Sequence, residues 1–426
     1  MAKTDAKMPM GALAQSSRSA KALAKSGVRF AVGRDAVTKY YAGPPLGHPS
    51  LEFLFGLTVF PYSSIVHLYG PPSSGKSTIG FDWLKMFCID IGGRGVLVEN
   101  EQKLSADVLY GVIGEEHADS LVVANVEDLE GTQSALTVYS EELLLKTFGK
   151  QADRSHAYCQ LNMVDSFRVL CRATKDKLKK NKHATAAFAV EANLWRQYLG
   201  VYTGMQSKAP LGLIVTNHMV EKTNQMGMTV ETAGGGKALN FYSAYEIAVK
   251  KVQKKEDKKF CYTDICLRAT KNSNTTDKRK VYPRIWYKSP DIEPGRFVVD
   301  WNIADALLLS GSLIPRDLLA KEDICNVKMS SSNDMLFNDP ILGVKNAPIE
   351  EVVAALYADE KRLQAFRKAL SISSDYHTFE ELWSQGWYFD AKTLNATSKV
   401  VRTDEMDEDE FEQDDEEDEE MEEETE

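Results

Sequence analysis

The chain has 426 residues, of which 43% are hydrophobic and 27% are charged, and its formal net charge is −11. This length predicts two or three domains of ordinary globular composition. No apolar run approaches the ~20 residues of a membrane helix, and the six scattered cysteines contain no CxxC pair, which argues against a zinc site or a disulfide framework.

The first 27 residues are basic and rich in Ser and Ala. They lack the apolar region of a secretory signal. We interpret this segment as a disordered or docking arm, with a transit peptide as the alternative.

A phosphate-binding loop follows the first predicted strand, residues 63–70. The sequence GPPSSGKST satisfies the pattern G-x-x-x-x-G-K-[ST], and a helical pattern follows it. Glycines let backbone N–H groups close on phosphates, and a helix N-terminus adds partial positive charge. Lys76 is predicted to reach the β- and γ-phosphates, and the Ser77 hydroxyl to bind Mg²⁺. The predicted nucleotide-binding residues are Gly70, Pro71, Ser73, Ser74, Gly75, Lys76, Ser77 and Thr78.

Further strand patterns alternate with helical segments after the loop. This alternation predicts an α/β fold with a mostly parallel sheet and right-handed crossovers. A helical pattern covers residues 188–205. The predicted strands are residues 94–101, 120–126, 159–166 and 209–218.

The pattern changes after Gly236. Residues 245–253, 259–271 and 280–288 are β-rich and are joined by charged turns, which predicts an antiparallel extension of the sheet. Residues 301–400 are predicted to form a small helical domain, and residues 346–370 its clearest amphipathic helix.

Acidic residues end two of the predicted parallel strands. Glu99 and Glu101 lie at the end of the second strand, and Asp165 lies at the end of the fourth. Because parallel sheets bind ligands at the carboxyl ends of their strands, Asp165 is a candidate to hold Mg²⁺ through water. Glu101 is a candidate to orient and deprotonate an attacking water. A single acid of this kind is more often a solvated strand end, but two in this order behind a phosphate loop favour the catalytic interpretation. Asn162 interrupts the apolar run before Asp165.

The end of the chain carries most of its negative charge. Residues 404–426 contain 18 acidic residues and no basic ones, whereas the rest of the chain has 44 acidic residues against 51 Lys and Arg. A basic body with an acidic tail is typical of proteins in which the tail competes with a polyanion. The alternative is a disordered segment that only solubilises the protein.

The stretch after the fifth strand carries a resemblance to a known family. Asn217 and His218 end the strand, a segment rich in Met, Thr and Gly follows, and GGGKALNFYS comes next. This order resembles the RecA/UvsX family of DNA strand-exchange proteins, in which Asn-Gln or Asn-His precedes a mobile DNA-binding loop and a Gly-Gly-x-Ala-Leu-x-Phe-Tyr motif. The resemblance covers about residues 50–290. The histidine and the long acidic C-terminus are similar to the phage UvsX branch.

The resemblance implies roles for particular residues. His218 is similar to the residue that senses the γ-phosphate, and it joins Glu101 and Lys76 as a catalytic candidate. Lys271 matches a lysine that reaches the nucleotide of the neighbouring protomer, and Tyr110 lies near the position of the aromatic residue that stacks on adenine. Residues 175–185 and 219–235 resemble the first and second DNA-binding loops. The DNA-binding candidates are Lys177, Lys179, Lys180, Lys182, Arg196, Lys222, Met226, Gly235 and Gly236.

One departure from the family concerns the protomer interface. The second interface lysine of the family is absent, because Ser273 or Asn274 stands at its position. The candidates to replace its charge are Lys278, Arg279 and Lys280.

The resemblance also implies an architecture. It is an α/β, RecA-like P-loop ATPase core with an antiparallel β extension, an N-terminal oligomerisation arm, a small helical C-terminal domain and a disordered acidic tail. The predicted boundaries are 1–50 for the arm, 51–300 for the core, 301–400 for the small domain and 401–426 for the tail.

The implied function is that of a DNA-dependent ATPase and recombinase, which uses ATP and Mg²⁺ to form a helical filament on single-stranded DNA and to catalyse homologous pairing and strand exchange. The implied partners are single- and double-stranded DNA and further copies of the chain, with room for single-strand-binding and mediator proteins and no membrane. The implied location is the cytoplasm, that of the host if the gene is a phage gene. The alternatives are a RecA-core motor such as a helicase, and a DNA-coating filament protein with little turnover.

Overall fold

A computed structural model provides the structure of the chain. It describes residues 43–374 except for residues 63, 102, 149–158, 168–186, 207–209, 224–228, 234–236, 276–277, 316 and 332–334. The described residues form an eleven-stranded sheet and a separate three-stranded sheet.

Six parallel strands and one short antiparallel strand make up the first part of the large sheet. They are β1 (Ile65–Gly70), β2 (Arg94–Glu99), β3 (Leu121–Asn125), β4 (Gln160–Asp165), β5 (Leu211–Thr223), β6 (Thr229–Ala233) and β7 (Tyr245–Glu256). The parallel order is β3-β2-β4-β5-β1-β7, and β6 pairs antiparallel with the outer part of β5. The predicted mostly parallel sheet is confirmed.

Four further strands extend this sheet beyond β7. They are β8 (Cys261–Asn272), β9 (Lys280–Val281), β10 (Arg284–Lys288) and β11 (Val298–Asp300). β8 pairs antiparallel with β7, β9 and β10, and β10 with β11. The predicted antiparallel extension is therefore confirmed.

Helices cover both faces of the sheet. Successive side chains of a strand point to opposite faces, and apolar strand residues on both faces pack against helices. The helices are α1 (Pro49–Phe55), α2 (Lys76–Leu84), α3 (Ala106–Ile113), α4 (Leu129–Phe148), α5 (Ala187–Gln206) and α6 (Lys237–Tyr242). The first three pack with Leu97 in one apolar cluster, and the last three pack with Val96 and Val98 in a second. A π-helical turn, Lys85–Ile89, continues α2.

Asn162 belongs to a buried polar network between the sheet and two helices. Its Oδ1 accepts a hydrogen bond from Gln160 Nε2 at 2.7 Å, and its Nδ2 donates to the Tyr202 hydroxyl at 2.8 Å and to Ser140 Oγ at 3.3 Å. A buried polar group is tolerated when it is hydrogen-bonded. The polar interruption of the β4 pattern is thus a structural feature that ties β4 to α4 and α5.

Replacing Asn162 by Leu is expected to lower the free energy of unfolding by about 1–3 kcal/mol, because the buried Gln160 amide loses its acceptor. Urea denaturation monitored by circular dichroism measures the change. The matched control is Asn125→Leu at the exposed end of β3, for which we expect a change within about 0.5 kcal/mol. Equal stability of the two variants would contradict a structural role for the network.

The C-terminal part of the described chain has its own apolar cluster. It contains α7 (Asn302–Leu309), α8 (Leu318–Lys321), β12 (Lys328–Ser331), β13 (Leu336–Asp339), β14 (Val344–Ala347), α9 (Ile349–Ala358) and α10 (Glu360–Ala369). Helices were predicted here, whereas the antiparallel sheet β12-β13-β14 was not. The single helix predicted over 346–370 is two helices, because the Asp359 side chain accepts the N–H of Arg362 and caps a new N-terminus.

Buried charges join this part to the rest of the structure. Glu52 on α1 accepts hydrogen bonds from Arg367 at 2.8 and 3.0 Å and from the Tyr357 hydroxyl at 2.9 Å. Arg279 is also buried, and its guanidinium donates to the carbonyl oxygens of Phe53 and Leu370. Arg279 therefore stabilises contacts inside this chain. The prediction that its charge could reach a neighbouring protomer is wrong, because the side chain is buried. The domain boundaries at 50, 300 and 400 stay predictions.

Across the part of the chain that the structure describes, no helix has both the length and the apolar character needed to cross a bilayer.

Candidate nucleotide site and adjoining hairpin

The candidate site lies where the parallel strands end. In the pairing register Gly70 at the end of β1 lies opposite His218 on β5, and Glu99 at the end of β2 lies opposite Asp165 at the end of β4. The order β1-β5-β4-β2 is continuous. The structure therefore brings the phosphate loop, His218, Asp165 and the Glu99–Glu101 segment to one edge of the sheet.

Two glycines of the loop occupy positions that a side chain would disturb. Gly75 caps α2 with φ 95°, and a Cβ there would lie 2.9 Å from the Ile285 side chain. A Cβ on Gly70 would lie 2.1 Å from the Val249 carbonyl oxygen. These glycines let the backbone turn tightly into the first turn of α2, whose N–H groups lack intrahelical acceptors.

Lys76 is buried within the loop that it follows. Its Nζ donates to the carbonyl oxygens of Pro71 at 2.8 Å and Gly70 at 3.1 Å. Burial lowers the pKa of Lys76, and the negative charges of Asp165 and Glu101 oppose this shift. The ammonium group is thus coupled electrostatically to both predicted acids, although they come from different strands.

Glu101 and His218 form a direct contact across the edge. His218 Nε2 lies 2.7 Å from Glu101 Oε1, and the Lys103 ammonium lies 3.3 Å from the other carboxylate oxygen. Burial would raise the pKa of Glu101, but the Ser166 hydroxyl and His218 outweigh burial and lower this pKa to about 2. Glu101 is therefore ionised at neutral pH, as an acceptor of protons or hydrogen bonds must be.

Asp165 is held by neighbours that the sequence analysis did not single out. Its carboxylate accepts a hydrogen bond from Thr216 Oγ1 at 2.5 Å. Asn100 makes two hydrogen bonds to the Ser166 backbone, at 2.7 and 2.9 Å, and its own N–H donates to the Asp165 carbonyl oxygen. The Asp165–Ser166 peptide bond is cis. Asn100, between the two glutamates, thus positions the end of β4.

A buried histidine lies on β1, three residues before the first glycine of the phosphate loop. His67 on β1 is fully buried, and burial lowers its pKa to about 3, so the ring is neutral. Its Nε2 lies 3.3 Å from Asn217 Nδ2. The His67 ring thus supports the residue that directly precedes His218. The only sequence signal for this role is a polar residue inside an otherwise apolar strand.

The segment after His218 differs from the predicted loop. β5 continues to Thr223, and Met219–Thr223 pairs antiparallel with Thr229–Ala233 of β6. The predicted loop over 219–235 is therefore a β-hairpin for the residues that are described. Lys222 lies in its first strand, paired with Val230. Met226, Gly235 and Gly236 lie outside the described residues.

The remaining predicted residues lie on several elements of the fold or outside the described residues. Tyr110 lies on α3, partly buried against the first apolar cluster. Lys271 on β8 donates to the Asn240 carbonyl oxygen, and Arg196 is exposed on α5. Pro71 and Ser73 are exposed in the loop, whereas Ser77 and Thr78 are half-buried in the first turn of α2. Lys177, Lys179, Lys180 and Lys182 lie outside the described residues.

The loop fits a nucleoside triphosphate with a divalent cation. Ser74 Oγ is buried and has no hydrogen-bond partner in the described structure, and Lys76 supplies a buried positive charge. No three His, Cys, Asp or Glu residues among those described converge as a protein-only metal site. The Ser77 hydroxyl and the Asp165 carboxylate are the residues that would hold a divalent cation beside the phosphates.

A parallel sheet with a phosphate loop after its first strand defines the phosphate-loop class of α/β proteins. Residues 32–290 match the model of the RecA N-terminal domain. The chain therefore belongs to the RecA N-terminal domain family.

Curated relatives are similar to this chain over about half of their own length. The protein RecA of Caldanaerobacter subterraneus subsp. tengcongensis is 29% identical over 209 residues, which are 49% of this chain and 55% of the relative. The protein RecA of Heliobacterium modesticaldum is 30% identical over 49% of this chain and 54% of the relative. The protein RecA of Chlorobaculum parvum is 26% identical over 53% of this chain and 59% of the relative.

Proposed function

We propose that this protein is an ATP-dependent DNA recombinase, which forms a helical filament on single-stranded DNA and catalyses homologous pairing and strand exchange. The observation that carries the proposal is the 2.7 Å contact between Glu101 and His218. It joins the edge that holds the phosphate loop to β5, the strand that continues into the hairpin. One strand thus connects the nucleotide site with the DNA-binding segment that the family resemblance implies.

In this proposal the ATPase chemistry uses residues of the sheet edge. Lys76 and the loop N–H groups bind the phosphates, and Ser77 and Asp165 hold Mg²⁺. Glu101 orients the attacking water, for which its ionised carboxylate is suited. His218 contacts Glu101 in the free protein and the γ-phosphate when ATP is bound. This exchange of contacts changes the position of β5.

The proposed DNA-binding elements are those that the family resemblance implies. They are the β5–β6 hairpin with Lys222, Arg196, and four parts of the chain outside the described residues, namely Met226, Gly235, Gly236 and the basic segment 175–185. Lysines suit backbone tracking, and a flexible methionine suits insertion between bases. At the protomer interface, Lys271 and the exposed Lys278 and Lys280 are the proposed contacts to the neighbouring nucleotide.

We also propose the branch of the recombinase family to which this protein belongs, on the basis of two sequence features. His218 in place of glutamine and the acidic segment 404–426 favour a phage UvsX-like recombinase. A protein of this kind acts in the cytoplasm of the host, together with single-strand-binding and mediator proteins.

Electron micrographs of the protein with single-stranded DNA, ATP and Mg²⁺ test the proposal. We expect open helical filaments with the wild-type chain and DNA-stimulated ATP hydrolysis in the same sample. Lys76→Ala should abolish both the hydrolysis and the ATP-dependent filament, whereas Lys321→Ala, an exposed control, should change neither. Closed rings would indicate a helicase-like motor, and filaments without hydrolysis would indicate a coating protein; either result contradicts the proposal.

A further inference from the structure

A cavity of about 540 Å³ lies between the core and the C-terminal part of the structure. One wall is apolar and includes Leu313, Ile314 and Leu318, and the rim carries Lys278 and Lys280. Both lysines are exposed. The cavity thus combines an apolar wall with two exposed lysines, which suits an acidic segment that also carries large apolar side chains.

The chain itself passes the cavity just before its described part ends. Leu370 and Ser371, which follow α10, line the cavity. The Ser373 N–H then donates to the Gly56 carbonyl oxygen at 2.9 Å, which holds the backbone beside the core. An extended chain advances at most about 3.6 Å per residue, so residues from 375 onward begin within a few residues of the cavity.

The composition of residues 375–390 matches the cavity. This segment, DYHTFEELWSQGWYFD, contains four acidic residues, no Lys or Arg, and six Phe, Trp or Tyr residues. Each aromatic side chain can remove about 150–250 Å² of surface from water, so such a segment gains from burial. By contrast, residues 404–426 carry 18 acidic residues and a single aromatic residue, Phe411, which is the composition of a solvated tail.

We propose that residues 375–390, termed the aromatic strap, dock in this cavity of their own chain. The aromatic side chains pack on the wall formed by Leu313, Ile314 and Leu318, and the acidic side chains lie against Lys278 and Lys280. The short connection from Ser373 favours the same chain over a second copy, because the tether gives a high effective concentration.

The docked strap has a consequence that rests on the proposed function. Lys278 and Lys280 are the lysines proposed to reach the nucleotide of a neighbouring protomer. A strap that neutralises them in the free protein must leave the rim before they can make that contact. Docking would therefore compete with assembly of protomers.

Limited chymotrypsin digestion of the full chain, without nucleotide or DNA, tests docking independently of the recombinase proposal. Cleavage sites are mapped by mass spectrometry. We expect the strap to be protected in the wild type and to be cleaved about tenfold faster in Lys278→Glu/Lys280→Glu, which loses two ion-pair partners. The matched control, Lys345→Glu/Lys361→Glu, reverses two exposed lysines away from the cavity and should leave protection unchanged.

A charge exchange distinguishes specific pairing from general destabilisation. Adding Glu380→Lys/Glu381→Lys to the rim variant should restore protection of the strap, and cleavage within residues 43–374 should stay unchanged in all variants. Rapid cleavage of the strap in the wild type, or no difference between rim and control variants, would overturn the proposal. Protection that depends on protein concentration would assign the cavity to a second copy and would also overturn it.

Discussion

Replacing Glu101 by Gln is expected to lower the rate of ATP hydrolysis by a factor of about 10² to 10⁴, with nucleotide binding retained. The Glu101 carboxylate accepts the 2.7 Å contact from His218. Although burial opposes ionisation, Ser166 and His218 hold its pKa at about 2 instead of 4.5. A glutamine of the same shape cannot accept a proton from water, so the loss falls on turnover.

The measurement compares DNA-stimulated phosphate release with the binding of a fluorescent ATP analogue. Glu115→Gln, on the exposed surface after α3, is the matched control and should behave as the wild type. The range from pH 5 to pH 8 lies far above the lowered pKa of Glu101, so the carboxylate stays ionised throughout it. The ratio of wild-type to variant rates should therefore be constant over this range. A wild-type rate of ATP hydrolysis in Glu101→Gln would contradict a role of the Glu101 carboxylate in activating water.

Replacing Arg367 by Met is expected to lower the free energy of unfolding by about 3–5 kcal/mol, because removing one partner leaves the other charge buried and unpaired. Glu52 is 1% exposed in its side chain and Arg367 15%, so solvent screens the pair little. The pair connects α1 with α10, and its loss should weaken attachment of the C-terminal part first.

Urea denaturation and hydrogen exchange of α9 and α10 measure this effect. The matched control is Arg362→Met, which breaks a partly exposed pair with Asp359, the N-cap of the same helix, and should cost at most about 1 kcal/mol. The double variant Glu52→Gln/Arg367→Met should be more stable than Arg367→Met alone. Equal effects of the two arginine substitutions would show that burial of the pair does not matter.

The parallel core was predictable because its signals are local. Five apolar strand patterns, a phosphate loop and acids at strand ends are all visible within a few residues of sequence. The edge at which they meet follows from the rule that parallel strands end together. Their order along that edge, and the contact between Glu101 and His218, required the pairing register of β1 with β5 and of β2 with β4.

Other features depend on distant contacts and had no clear local signal. The strands β12, β13 and β14 have four residues each, which is too short to establish a period of two. Arg279 lies between two lysines in the sequence and was grouped with them, yet its contacts to Phe53 and Leu370 place it in the interior. Asn100 was overlooked because an amide between two glutamates resembles an ordinary turn residue.

The continuity of β5 has a mechanical consequence. The strand has 13 residues and at about 3.3 Å per residue extends roughly 43 Å. Its inner part is clamped between β1 and β4, and the pairing with β1 ends at His218. His218 is therefore the point at which β5 leaves the central sheet and continues into the hairpin. If the backbone of β5 rotates at His218, the displacement at Thr223, the last residue of the strand, is larger than the displacement at His218 itself.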